Sequence, residues 1–190
     1  MNTKRNSLIR VAINGYGRIG RSVLRALYES EYRKYMQVVA INELADCKTI
    51  AHLTKYDSTH GHFPGSIQIK NNTLLINGDD ISIFQFKEIN RLPWDALNID
   101  IVLECSGAFT DRLTAEKHIV AGAKKVLFSQ PAEPDVDATI VMGVNEKTLT
   151  GDELVISNAS CSTNCVVPVI KTLHKEFTVE GGVITTIHSA

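Results

Sequence analysis

Cys161 and His188 are the residues of this chain whose types and contexts best suit covalent chemistry. A thiol at the first turn of a helix has its thiolate stabilised by free backbone N–H groups and by the helix dipole, and a nearby imidazolium favours it further. Cys161 follows the polar turn Ser157-Asn158-Ala159-Ser160, in which Ser160 is placed to cap a helix. Beyond it Val166, Val167, Ile170, Leu173 and Phe177 recur as a helical stripe, with Pro168 tolerable only near the first turns. Gly182–His188 reads as a strand that carries the histidine near its end. Cys47, Cys105 and Cys165 take the ordinary reading of small buried fillers. His52, His118 and His174 fall in helix-like stretches, and His60 and His62 in a glycine-containing loop. None pairs with metal-ligand spacing, so no metal site is expected. Arg21 and Arg25 are read as facing solvent or structural carboxylates.

A second constellation lies near the N-terminus. Val11-Ala-Ile-Asn-Gly-Tyr-Gly-Arg-Ile-Gly20 reads as a buried strand turning through glycines into a helix. In Gly15-x-Gly17-x-x-Gly20 the first glycine permits a tight turn, the second lets backbone approach a pyrophosphate, and the third lets helix pack on strand. Backbone N–H groups of Arg18 and Ile19 would bind the phosphates. Alone, such a motif is often only a turn. The next strand, however, ends at Asn42-Glu43, about 23 positions beyond Gly20, near the offset of an acid that binds adenosine ribose. A carboxylate there accepts from both ribose hydroxyls and repels a 2′-phosphate, which predicts NAD rather than NADP. Dinucleotide site, helix-opening cysteine and distant histidine together point to oxidation of an aldehyde through a thioester.

These residues need a scaffold. Leu8–Asn14, Val38–Asn42, Ile99–Cys105, Lys125–Ser129, Thr139–Gly143 and Leu154–Ser157 are short apolar runs suited to buried parallel strands. Helix-like stretches at Ile19–Ser30, Asp46–Tyr56 and Asp111–Ala121 alternate with them, the last with Asp111 as cap and Gly122 as stop. Ser66–Lys70, Thr73–Ile76 and Ile81–Phe86, split by Asn71-Asn72 and Asn77-Gly78, predict a small antiparallel insertion. The expected fold is α/β, a Rossmann-like doubly wound and mostly parallel sheet. Residues 1–160 are expected to form the dinucleotide-binding domain, and 161–190 the first helix and strand of an α+β catalytic domain in a longer polypeptide. With 190 residues, 44% of them hydrophobic, and a net charge of -1, the chain has enough apolar content for a core and no charge run suited to nucleic acid or an anionic membrane. No apolar stretch approaches a membrane span, and four cysteines without framework spacing predict a reduced, cytoplasmic protein.

Five segments in order, Asn14-Gly-Tyr-Gly-Arg-Ile-Gly-Arg21, Lys55-Tyr-Asp-Ser-Thr-His-Gly61, Met142-Gly-Val-Asn145, Ala159-Ser-Cys-Ser-Thr-Asn-Cys165 and Thr185-Thr-Ile-His188, resemble the glyceraldehyde-3-phosphate dehydrogenase family. Ser162 stands where that family usually has threonine, and the hydroxyl is kept. The resemblance implies that Cys161 is the nucleophile and His188 its base, with Ser160 and Ser162 beside the substrate. It also implies cofactor contacts from Arg18, Ile19, Glu43, Lys87, Ser106, Gly107 and Ser129, and a homotetramer for the whole protein. The segments Asn42-Glu-Leu-Ala-Asp46, Lys124-Lys-Val-Leu-Phe-Ser129 and Asp137-Ala-Thr-Ile-Val141 are more similar to the branch that oxidises D-erythrose 4-phosphate to 4-phosphoerythronate for pyridoxal phosphate synthesis. The rivals are the phosphorylating glycolytic branch, an NADP-dependent semialdehyde dehydrogenase that Glu43 disfavours, and a non-catalytic NAD-binding module.

Overall fold

The computed structural model describes residues 8–188. Its frame is one sheet, built from β1 (Ile9–Asn14), β2 (Met36–Asn42), β5 (Ile67–Lys70), β6 (Thr73–Ile76), β7 (Asp79–Phe84), β8 (Ile101–Glu104), β9 (Lys125–Phe128), β10 (Ala138–Thr139) and β11 (Val155–Ser157). The order across it is β10-β11-β9-β8-β1-β2-β7-β6-β5. Strands from β10 to β7 run parallel, whereas β5, β6 and β7 form an antiparallel meander on one edge. The meander is therefore an extension of the main sheet, because β7 pairs parallel with β2. Its turns place Asn71 and Asn77 at φ of 55° and 51°, the left-handed region that asparagine tolerates best after glycine. A separate antiparallel pair joins β3 (Tyr56–Asp57) to β4 (Gly61–His62).

The strands are Val- and Ile-rich without alternation because both sheet faces are covered. Val11, Ile13, Leu24, Ile41 and Ile81 belong to one buried cluster, and Ala12, Ala40, Trp94, Val102 and Phe128 to the other. Neighbours along a strand, such as Ile13 and Ala12, point to opposite faces. Helix α1 (Arg18–Glu29) packs through Leu24 and Leu27, and α3 (Arg112–Val120) through Ala115 and His118. Asp46 caps α2 (Cys47–Lys55) by accepting from the N–H groups of Lys48 and Thr49, and Asp111 caps α3 through Thr114 N. Gly122, at φ 109°, ends the helical run. Arg25 meets the structural carboxylate expected of it and two carbonyls besides. It is buried, donates to the carbonyls of His60 and Gly61 at 3.1 and 3.0 Å, and faces Glu29, so it clamps the β3–β4 loop onto α1.

The C-terminal part departs furthest from expectation. Helix α4 (Cys161–Phe177) forms, but Pro168 sits in its third turn. Proline there removes the bond to the Asn164 carbonyl. Both residues are half-exposed, so that carbonyl stays open to water. The expected stripe is not buried: Ile170, Leu173 and Phe177 are exposed, because among the described residues no element covers that face. Residues 182–188 form no strand, since a strand needs a neighbour to bond and none is paired with them. β10 is likewise shorter than the Thr139–Gly143 run, which turns away after Thr139.

Candidate functional site

The strand order reverses beside β1, with β2 following on one side and β8 entering on the other. Ligands of open α/β sheets bind outside the carboxyl ends of the strands at such a point. A cleft of about 430 Å³ opens there, and its lining includes Gly15, Gly17, Glu43, Lys87 and Ser106. Five residues that the sequence placed apart are thus brought together.

Each glycine of the loop has its own reason. Gly15 adopts φ 86°, and a Cβ on it would lie 2.4 Å from the Ser106 backbone, so only glycine lets the β1 and β8 loops meet. A Cβ on Gly20 would lie 2.4 Å from the Gly15 carbonyl oxygen. At Gly17 a Cβ would meet nothing within 4 Å, so nothing in the protein demands glycine at that point. Gly17 is also the N-cap of α1 and supplies no side-chain acceptor, which leaves the first-turn N–H groups of Arg18 and Ile19 available to a ligand. Both residues stand exposed at the cleft mouth, outside its lining.

Two side chains hold the loop. Tyr16 is buried, and its hydroxyl lies 3.0 Å from Thr54 Oγ1, which itself donates to the Ile50 carbonyl. The tyrosine is therefore the donor, and burial raises its pKa above the ordinary tyrosine value. Glu43 Oε2 accepts from Tyr16 N at 2.7 Å, while Oε1 accepts from the N–H groups of Leu44 and Ala45 at 2.7 and 3.3 Å. These three donors fix the carboxylate on the rim next to the glycine turn. Its remaining lone pairs are left for a ligand.

The floor was not foreseen. Asn14 and Asn42 end adjacent strands in register, Asn42 Nδ2 donates to Asn14 Oδ1 at 2.7 Å, and both line the cleft with Phe86, Ile89 and Phe109. Two buried asparagines at strand ends are the signal that could have found it. Cys105 also lines the cleft, and burial pushes its thiol up to about 11, which removes it as a nucleophile. Ser106 Oγ accepts from Ala108 N, and Gly107 turns the loop at φ 70°. Ser129 follows β9 with its hydroxyl on Gln130, outside the lining.

The cysteine turn is built separately. Ser157 ends β11 and Ala159 adopts φ 55°, a left-handed conformation that costs a residue with Cβ on the order of 1 kcal/mol. That bend swings the chain straight into α4. Ser160 caps it, its Oγ accepting from Thr163 N at 2.9 Å and lying 3.2 Å from Ser162 Oγ. Asn164 Nδ2 closes the turn onto the carbonyls of Asn158 and Ser160 at 2.6 and 3.0 Å. Cys161 is left exposed at the first helical position. Cys165, expected to be buried, is exposed too, because α4 lacks cover, and Cys47 is half-buried. His188 lies exposed in the irregular run after α4 rather than on a strand, so the structure does not set it against Cys161.

Among the described residues no three His, Cys, Asp or Glu side chains gather as a metal site, and no helix is long and apolar enough to cross a membrane. Residues 9–112 match the family model described as glyceraldehyde 3-phosphate dehydrogenase, NAD binding domain. Residues 160–190 match the model of the glyceraldehyde 3-phosphate dehydrogenase C-terminal domain. The first match spans the glycine loop, Glu43, Lys87 and Ser106, and the second spans the cysteine turn. The cleft fits NAD: an uncapped helix N-terminus for phosphates, an open Gly17 for close approach, and a fixed carboxylate on the rim. Cofactor, cleft and matched residues agree, and this chain belongs to the glyceraldehyde 3-phosphate dehydrogenase family, whose NAD-binding domain it carries.

Proposed function

We propose that this chain supplies the NAD site and the nucleophile of a dehydrogenase that oxidises a phosphorylated sugar aldehyde through a thioester on Cys161. The observation that carries the proposal is the exposed thiol at the first position of α4, behind a strained and capped turn. Bound NAD supplies the hydride acceptor. Cys161 Sγ adds to the aldehyde carbon, the Cys161 N–H faces the developing oxyanion, and His188 takes the proton of the hydroxyl so formed. Ser160 and Ser162 flank the adduct. The thioester left on Cys161 is then cleaved by water or by inorganic phosphate. Arg18 and Ile19 hold the pyrophosphate, Glu43 the ribose, and Lys87 the adenine side of the cleft, with Ser106 on the opposite wall and Gly107 and Ser129 as further cofactor contacts from outside the lining. Residues 1–160 form the cofactor domain, and 161–190 begin the catalytic domain of a cytoplasmic homotetramer.

Among family substrates we favour D-erythrose 4-phosphate, with water as the acceptor, on the segments around Glu43, Lys124 and Asp137. Glyceraldehyde 3-phosphate with phosphate as acceptor is the rival. The exposed, unpaired run that carries His188 favours a second reading for the chain by itself, an NAD-binding module without turnover.

One equivalent of iodoacetamide followed by peptide mass mapping tests the nucleophile. Cys161 is expected to be labelled first, since Cys105 is buried with a raised pKa and Cys165 lies a turn inside the helix, away from its free N–H groups. Faster labelling of Cys165 or Cys47 would refute the assignment.

A further inference from the structure

Beneath the cleft runs a chain of buried polar groups that none of the roles above uses. Trp94, the one tryptophan of the sequence, is fully buried and donates from Nε1 to His118 Nδ1 at 3.0 Å. His118, also fully buried, has its Nε2 3.1 Å from Glu104 Oε2. Glu104 Oε2 further accepts from Asn14 Nδ2 at 2.6 Å, and its Oε1 from Ser106 N at 2.8 Å. Asn14 leads on to Asn42, which exchanges two hydrogen bonds with the Phe86 backbone at 2.9 Å each.

The direction of every bond follows from the donor at one end. An indole N–H can only donate, so His118 Nδ1 must accept. Nδ1 then carries no proton, and the Nε2–H donates to Glu104 Oε2. Glu104 receives three donors and has no acceptor among its hydrogen-bond partners, so it is a carboxylate. Burial by itself would raise its carboxyl, but the hydrogen bonds from His118, Ser106 and Asn14 outweigh it and hold the group below the ordinary glutamate value. No amide could replace it, because both oxygens accept and an NH₂ in place of either would face a donor. Both walls of the cleft hang from this one anion, since Ser106 backbone is the surface against which Gly15 closes.

We infer that Glu104 is a positioning residue of the cofactor site: it fixes Ser106 and Asn14 on either side of the β1–β8 crevice, and the Trp94–His118 pair keeps its charge oriented. The inference rests on the cleft being the NAD site. A purely structural role would lower stability and leave the affinity of the folded protein alone. A positioning role moves the affinity itself.

The test measures NAD affinity by calorimetry, well below the unfolding transition, alongside urea stability for His118→Leu and His118→Gln. Glutamine reproduces a donor beside an acceptor at similar spacing, whereas leucine fills the space and supplies neither. Binding weakened about tenfold in His118→Leu and kept within about twofold in His118→Gln is the expected result. Unchanged affinity in folded His118→Leu would overturn the inference, even if stability falls. Should His118→Leu fail to fold, histidine ¹⁵N spectra of the unmutated chain decide: a bare Nδ1 and protonated Nε2 support the oriented chain, and a doubly protonated ring overturns it. Failure of the unmutated chain to bind NAD would instead count against the cleft as the cofactor site.

Discussion

Gly17→Ala is expected to weaken NAD binding by at least about tenfold while leaving stability within about 0.5 kcal/mol of the unmutated chain. Gly17 has φ -72°, outside the left-handed region, and a Cβ on it would meet nothing within 4 Å. The methyl group would stand where pyrophosphate must approach the backbone. Gly15→Ala should behave differently. Its φ of 86° disfavours any side chain, and the added carbon would lie 2.4 Å from the Ser106 backbone, so the two loops must part. A loss of about 1–3 kcal/mol or more is expected, together with NAD binding. Calorimetric titration and urea unfolding of the two variants separate ligand-imposed from protein-imposed glycine. Equal stability losses would show that Gly17 is structural and would remove one support of the cleft's assignment.

Cys161→Ala is the second large effect. In the active enzyme, turnover is expected to fall by roughly 10⁴-fold or more, the scale seen when a covalent nucleophile is removed. The side chain is exposed, so stability should stay within about 0.5 kcal/mol, and NAD affinity should be unchanged. Cys165→Ala, one turn away, should turn over like the unmutated enzyme. NADH production followed spectroscopically for both variants checks this. Substantial activity in Cys161→Ala would exclude a thioester on that residue.

Much of the frame was legible because local chemistry and global fold agree. Apolar runs such as Val38–Asn42 became strands buried on both faces, Asp46 and Asp111 capped the helices they precede, and Asn77-Gly78 made its hairpin. Glu43 fell on the cleft rim because strand and loop lengths fix where a parallel strand ends. What escaped depends on partners distant in sequence. His118 looks like any helix histidine until Trp94, 24 positions away, and Glu104 close around it. Arg25 looks like a surface cation until the His60–Gly61 carbonyls cover it. The opposite error occurs in α4 and at residues 182–188. Apolar spacing there predicts burial, but a stripe or a strand is buried only where another element meets it. Cys165 follows its helix into exposure for the same reason, and the left-handed Ala159 carries no signal in its residue type.

NAD bound at the β1–β8 crevice is proposed to serve an aldehyde oxidation at Cys161. The decisive measurement is NADH formation by the enzyme with erythrose 4-phosphate and glyceraldehyde 3-phosphate, each with and without inorganic phosphate. NADH is expected from a phosphorylated aldehyde, with erythrose 4-phosphate preferred and no need for phosphate. A requirement for phosphate with glyceraldehyde 3-phosphate preferred would move the enzyme to the phosphorylating branch. Tight NAD binding with no NADH from either aldehyde would contradict the claim.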